Sequence, residues 1–76
     1  MNLKLRGGEN MKISLKAARV NANLTQGDVA KRLKKSVQTI VNWECGRTPI
    51  DEGNFIALCT IYNISAENIF LPNTSA

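Results

Sequence analysis

The chain has 76 residues, the size of one small domain, and its ten Lys and Arg against six Asp and Glu give a net charge of +4. This balance favours an anionic partner, either nucleic acid or a membrane surface, although many proteins carry such a charge only for solubility. The chain has no histidine and only two cysteines, which excludes a disulfide framework and the usual zinc spacings and predicts a reduced cytoplasmic protein without metal or cofactor.

The first twelve residues show no helical spacing of apolar positions, and we expect residues 1–12 to form a flexible arm. Met11 immediately precedes the first organised segment and follows a Gly-Gly-Glu that a purine-rich ribosome-binding site could encode. One hypothesis is therefore that translation naturally starts at Met11. The alternative is that Lys4 and Arg6 make the arm a basic contact to DNA. The mass of the endogenous protein distinguishes the two.

Helical spacing of apolar residues, with a capping residue before each segment, predicts five short helices between residues 13 and 71. No strand pattern and no internal repeat is visible, so the expected fold is all-α around one core, and residues 72–76 are expected to be a disordered tail. The expected N-caps are Ser14, Thr25, Ser36, Asp51 and Ser65, and the expected ends are Asn21, Leu33, Cys45, Asn63 and Leu71.

The second and third predicted helices are separated only by a short turn between Leu33 and Ser36, and Ala30 is small enough to let them cross closely. This spacing predicts a helix-turn-helix unit, whose second helix lies in the major groove of DNA. At about 100° per residue, the third helix turns Ile40 and Trp43 towards the core. Core packing is therefore the expected role of Trp43, rather than stacking on DNA. The residues expected to face outward are Val37, Gln38, Val41 and Asn42.

The outward residues suit the edges of base pairs. The amides of Gln38 and Asn42 combine a donor with an acceptor, which matches adenine, and the two valines can contact thymine methyl groups. On an arbitrary helix such amides are usually plain surface residues, but their place in this motif favours base reading. Gln26, at the start of the preceding helix, can bond a phosphate together with the free backbone N–H groups there. The cations expected to hold the reading helix on the phosphate backbone are Lys34, Lys35 and Arg47.

The sequence resembles the phage-repressor and Cro-like helix-turn-helix family, often called the XRE family. The match runs from Ser14 to Leu71 and rests on L-T-Q at 24–26, V-A at 29–30 and S-x-x-T-I-x-x-W-E-x-G over 36–46. The resemblance implies a compact five-helix lambda-repressor-like domain that binds double-stranded DNA. It also implies a partly buried ion pair between Arg19 and Glu44. The DNA contacts that it implies are Gln26, Ser36, Val37, Gln38 and Asn42.

Three residues depart from the family pattern. Lys34 stands where glycine is usual, which predicts a positive φ at some strain. Lys35 stands where relatives carry an aliphatic residue, so its stem is expected to cover the core while its ammonium group reaches out. Cys45 replaces a residue that is usually polar, and a redox or ligand role for it stays open.

Together these features predict a cytoplasmic transcription regulator, a repressor by family resemblance, that binds a near-palindromic operator as a homodimer. The expected dimer contacts are the loop from Pro49 to Glu52 and the segment of Ile69, Phe70 and Leu71. The alternative is a protein-binding module, such as an antitoxin or anti-regulator with the same fold. An enzyme is not expected, because the chain lacks histidine, a glycine-rich phosphate loop and paired carboxylates in one register. A membrane protein is not expected either.

Overall fold

The computed structural model describes residues 12–72, so the expectations for residues 1–11 and 73–76, including the choice of start codon, lie outside the described residues. Lys12 is exposed and belongs to no helix or strand. The elements are β1 (Ile13–Ser14), α1 (Leu15–Asn21), α2 (Gln26–Leu33), α3 (Val37–Cys45), α4 (Glu52–Tyr62), a 3₁₀ turn (Ala66–Asn68) and β2 (Ile69–Phe70).

Each α-helix begins after the capping residue that the sequence indicates. The cap's side-chain oxygen accepts a hydrogen bond from the backbone N–H three residues further on, which satisfies a donor that the helix itself cannot. At α2 the arrangement is a full capping box, because Asp28 also accepts from the backbone N–H of Thr25 at 2.9 Å. The capping residues are Ser14, Thr25, Ser36 and Asp51.

Helices α2, α3 and α4 end directly at a residue in the left-handed conformation, and α1 is followed by one at Asn23, after its C-cap Ala22. At α3 the Gly46 N–H donates to the Trp43 carbonyl at 3.3 Å and the Arg47 N–H donates to the Asn42 carbonyl at 2.9 Å, which is a Schellman motif. These abrupt ends keep the connections short and fix the angle at which each helix follows the last. The left-handed residues are Asn23, Lys34, Gly46 and Asn63, with φ of 61°, 59°, 78° and 55°.

Two expectations about the fold are wrong. The fifth helix is only the three-residue 3₁₀ turn Ala66–Asn68, so the described part of the chain has four α-helices. The chain also contains strands: β1 pairs in parallel with β2, and Ile13 lies opposite Ile69. Two-residue strands are too short to show an alternating pattern, and the paired segments lie at opposite ends of the domain. The pairing ties those ends together.

The core lies between all four helices and β2. Ile40 and Val29 are fully buried, and Trp43 is buried as expected. Tyr62 is in the core too, and its hydroxyl is buried and has no hydrogen-bond partner among residues 12–72. Leu33 and Phe55 are only half-buried against this core. The buried apolar residues are Leu15, Ala18, Val29, Ala30, Ile40, Trp43, Leu58, Cys59, Tyr62 and Ile69.

Candidate nucleic-acid interface

The turn between α2 and α3 sets the position of the outward helix. Lys34 holds the left-handed conformation that its place in the family pattern predicts, and the Lys35 N–H reaches back to the Ala30 carbonyl at 2.9 Å. Ala30 is 4% exposed and Ile40 is 0% exposed, so small and large side chains meet where the helices pack. The short connection and the tight packing between α2 and α3 together hold α3 in a fixed position on the domain.

The face of α3 that points away from the core is the one that the helical spacing predicts. Val37 is 47% exposed, and Gln38 is exposed as well. Val41 and Asn42 are half-buried on the same side. The helix carries a single acidic residue, Glu44, and that residue is turned inward. The outer face therefore presents amides and methyl groups without a carboxylate that would repel phosphate.

The hydroxyl group of Ser36 makes two hydrogen bonds at the start of α3. Its hydroxyl oxygen accepts from the Thr39 N–H at 3.1 Å and lies 2.9 Å from the Thr39 hydroxyl. The backbone N–H groups of the first helical turn lie beside it, where the helix dipole favours a negative charge. This end of α3 is therefore suited to a phosphate oxygen.

The two amides on the outer face are joined to each other and to Arg47. The Gln38 Nε2 donates to the Asn42 Oδ1 at 3.0 Å, and the Arg47 Nη1 donates to the same oxygen at 3.1 Å. The sequence alone predicts Gln38, Asn42 and Arg47 as three separate contacts to DNA. Gly46 is the one local signal for the arrangement, because a left-handed residue there folds the chain back over the last turn of α3.

Behind the outer face, Glu44 joins three helices. Its carboxylate accepts from the Arg19 Nε at 2.7 Å, from the Arg19 Nη2 at 3.2 Å and from the Gln26 Nε2 at 3.0 Å. The predicted ion pair is therefore present, and its side chains are 10% exposed for Arg19 and 7% for Glu44. The hydrogen bonds that Arg19 donates to Glu44 raise the pKa of its guanidinium group above the ordinary value. This cluster fixes the angle of α3 to α1 and α2.

Gln26 thus has a structural bond that sequence reasoning missed. Its Nε2 is occupied by Glu44, a residue 18 positions away, and no local spacing signals such a pair. Gln26 can still donate the second hydrogen of that nitrogen to a phosphate. The backbone N–H groups in the first turn of α2 can donate to the same phosphate. Any contact to DNA from Gln26 therefore also depends on the position of Glu44.

The basic residues lie around this face. Lys34, Lys35 and Arg47 are all exposed, as are Lys31 and Arg32 on α2. Lys35 is exposed, which leaves its ammonium group accessible to solvent. The two acids near these cations are already used as caps: hydrogen bonds from Thr25 lower the pKa of Asp28, and hydrogen bonds from Asn54 lower that of Asp51.

The two cysteines differ in their surroundings. Cys45 is exposed at the end of α3, while Cys59 is buried and desolvation raises the pKa of its thiol. Within residues 12–72 no three His, Cys, Asp or Glu residues cluster in a way that could hold a metal ion. None of the helices in that span combines the length and the apolar character needed to cross a membrane.

A model of the family described as Helix-turn-helix matches residues 15–69, which is more than half of the 76-residue chain. No curated protein and no solved structure matches the chain significantly. The matched span runs from the start of α1 to the start of β2 and includes the whole α2–α3 unit. The chain belongs to the XRE-type helix-turn-helix family and is a DNA-binding transcription regulator.

Proposed function

We propose that the chain is a sequence-specific repressor that acts in the cytoplasm, binding a near-palindromic operator as a dimer with α3 in the major groove. The observation that carries the proposal is the outer face of α3, where Gln38 and Asn42 stand exposed or half-buried and no carboxylate interrupts them. Amides and methyl groups match base edges, whereas a solvated helix normally carries Lys and Glu there. Repression rather than activation follows from the family resemblance alone.

The residues divide into two groups by their chemistry. Gln38, Asn42, Val37 and Val41 would read bases, because only they project from the middle of the outer face. The second group would contact phosphates and supply affinity without sequence preference. It comprises Gln26, Ser36, Lys34, Lys35 and Arg47.

Dimer formation is proposed because a single module buries only roughly 600–1,000 Å² on DNA, which is little for useful specificity. Ile69 cannot supply the contact, since it is 5% exposed and pairs with Ile13. Phe70 is 55% exposed and its neighbour Leu71 is half-buried, so this end of the domain keeps an apolar surface. The exposed residues of the loop from Pro49 to Glu52 complete the proposed contact. Sedimentation equilibrium of the wild type and of Phe70→Ser tests it.

The decisive experiment is selection from a random duplex pool at two salt concentrations, with Gln38→Ala beside the wild type. We expect the wild type to enrich a palindromic consensus, and Gln38→Ala to lose preference at one position of each half-site. Thr60→Ala on α4 is the control, because within residues 12–72 this exposed hydroxyl donates only to the Ile56 carbonyl of its own helix.

Weak, sequence-blind binding with a steep salt dependence would contradict the proposal, since only the electrostatic attraction to phosphate would remain. In that case the protein-binding module becomes the leading function. A consensus without symmetry would overturn the dimer while leaving sequence-specific binding intact.

A further inference from the structure

The contacts of the Asn42 amide limit what this side chain can present to DNA. Its Oδ1 accepts from Gln38 at 3.0 Å and from Arg47 at 3.1 Å. A carbonyl oxygen has two lone pairs, so both of its acceptor positions are occupied. The Asn42 Nδ2 donates no hydrogen bond among residues 12–72, so its two hydrogens remain available to a ligand of α3.

The orientation of both amides follows from Arg47. A guanidinium group only donates, so the atom of Asn42 that faces it must be the oxygen. That oxygen in turn requires the nitrogen, not the oxygen, of Gln38 opposite it. Arg47 therefore fixes the orientation of the Asn42 amide, and the Asn42 amide in turn fixes that of Gln38.

Gln38 keeps the groups that an adenine needs. Its Nε2 has two hydrogens, of which Asn42 takes one, and its Oε1 has no donor among residues 12–72. An oxygen and an N–H side by side match the N6 and N7 of adenine in the major groove. The bond to Asn42 thus holds Gln38 in place without using up its reading groups.

From these contacts we infer that Gln38, Asn42 and Arg47 form one reading unit with a defined preference; this inference rests on the proposed function. Gln38 reads adenine, and Asn42 acts only as a donor, so it reads a neighbouring base that offers an acceptor. Guanine, thymine and, through its N7, adenine present such acceptors in the major groove, whereas cytosine presents only its N4 donor. Cytosine is therefore rejected opposite Asn42. Arg47 is the positioning residue that sets this polarity.

The backbone places Arg47 for this role. Its N–H bonds the Asn42 carbonyl at 2.9 Å through the turn at Gly46, so the same two residues are joined by their main chains and by their side chains. Because both the main chain and the side chain of Arg47 are held in this way, the residue loses little additional conformational freedom when it binds DNA. An arginine serving only as a phosphate contact needs no bond to a neighbouring amide.

The test is the same random-pool selection carried out with three variants. Arg47→Met removes the cation and the donor to Asn42, and Lys35→Met is its matched control because it removes only a nearby cation. Asn42→Asp keeps an acceptor for Gln38 and Arg47 but replaces the outward donor by an acceptor. Circular dichroism of each variant checks that the fold is intact.

We expect Arg47→Met and Lys35→Met to weaken DNA binding to a similar extent. Each should also reduce the salt dependence of the affinity by the amount that the loss of about one phosphate contact gives. Only Arg47→Met should also reduce discrimination at the base opposite Asn42, by roughly three- to tenfold, as the loss of a hydrogen-bond constraint would. Asn42→Asp should bind more weakly and move the preference at that same base towards cytosine.

Two results would overturn the inference. One is an Arg47→Met consensus indistinguishable from that of Lys35→Met, since Arg47 would then only contact phosphate. The other is a wild-type consensus with cytosine at the base whose identity changes in Asn42→Asp. Failure of the wild type to enrich any consensus would instead count against the proposed function itself, so the two failures are distinguishable.

Discussion

The Nε of Arg19 donates to the Oε2 of Glu44 across 2.7 Å, and this contact joins α1 to the last turn of α3. The guanidinium also donates to the Leu24 carbonyl at 2.9 Å, so it holds the loop before α2 as well. An acid near the end of a DNA-reading helix would otherwise oppose both the helix dipole and the phosphates. Paired in this way, Glu44 holds α3 against α1 and α2.

Removal of Arg19 should be strongly destabilising. Arg19→Met leaves the carboxylate of Glu44 buried with only the Gln26 amide as a partner, and the loss of one member of a buried pair lowers the free energy of unfolding by about 3–5 kcal/mol. Since a domain of this size has a net stability of only a few kcal/mol, the variant should be largely unfolded. Urea unfolding followed by circular dichroism measures the change.

Two controls separate the ion pair from the loss of side-chain bulk. Lys16→Met, on the exposed face of the same helix, should change the stability little. The double variant Arg19→Met/Glu44→Leu removes the unpaired charge and should recover most of the loss, because a buried pair is worth little against apolar replacements. If the double variant were as unstable as Arg19→Met, the cost would lie in packing or in the bond to Leu24.

Replacement of glycine by alanine should have opposite effects at two positions. Gly27 lies within α2, where the nearest atom to an added Cβ is the Thr25 Oγ1 at 3.7 Å, so Gly27→Ala should stabilise by about 0.5–1 kcal/mol. At Gly46 φ is +78° and the Cβ would lie 3.1 Å from the Pro72 Cγ, so the same change should destabilise by about 1–2 kcal/mol. Thermal unfolding of both variants tests the pair.

The Gly46 variant also bears on DNA binding. If the left-handed turn is what brings Arg47 over Asn42, Gly46→Ala should weaken sequence discrimination even at temperatures where the domain stays folded. Equal effects on stability at the two glycines would contradict the conformational argument, because the chemical change is the same. Pro72, which had been assigned to the tail, is the residue that makes the added methyl group at Gly46 crowded.

The sequence was informative about local structure and much less so about contacts between distant residues. Ser14 and Thr25 could be identified as caps because capping depends on residues only three positions apart. The β1–β2 pairing could not, since nothing local distinguishes Ile13 or Ile69 as strand residues. The ion pair of Arg19 was an exception that came from family resemblance rather than from spacing.

The same distinction holds at the candidate interface. The outward face of α3 followed from helical spacing, which depends only on geometry within one helix. The hydrogen bond from Gln26 to Glu44 and the two hydrogen bonds to the Asn42 Oδ1 depend on how helices and turns pack, so the sequence predicted which residues of α3 face outward but not how their amides are oriented.

Lys34 is strained in a way that one substitution can relieve. Its φ of 59° is in the left-handed region, which disfavours residues with a Cβ by about 1–2 kcal/mol. Lys34→Gly should therefore raise the free energy of unfolding by about 1 kcal/mol, after allowance for the extra freedom of glycine in the unfolded chain. Chemical denaturation with a two-state fit measures the gain.

Lys34→Ala is the control for the removed charge. It loses the same ammonium group but keeps the Cβ, so it should gain no stability from relief of the backbone. A gain of equal size in both variants would show that repulsion from nearby cations, and not the backbone conformation, is the cause. Both variants should bind DNA less tightly if Lys34 contacts phosphate.

The hydroxyl of Tyr62 should make stability fall at alkaline pH. Burial raises its pKa to about 12, with a smaller contribution from the charge of Glu44. In the unfolded chain the pKa of tyrosine is about 10, so between these values the folded state holds a proton that the unfolded state has lost. A raised pKa contributes stability that is complete below about pH 10 and is lost as the pH rises through about 12.

Tyr62→Phe removes this titration together with a buried hydroxyl that has no partner among residues 12–72. At neutral pH the variant should be as stable as the wild type or about 1 kcal/mol more stable, because no hydrogen bond is lost and a desolvated polar group is removed. Between about pH 10 and pH 12 it should lose less stability than the wild type. Since the chain has one tyrosine, the phenolate absorbance of the wild type reports this pKa directly. A midpoint near 10 in the folded protein, or a loss of stability in Tyr62→Phe at neutral pH, would mean that the hydroxyl reaches water or a hydrogen-bond partner.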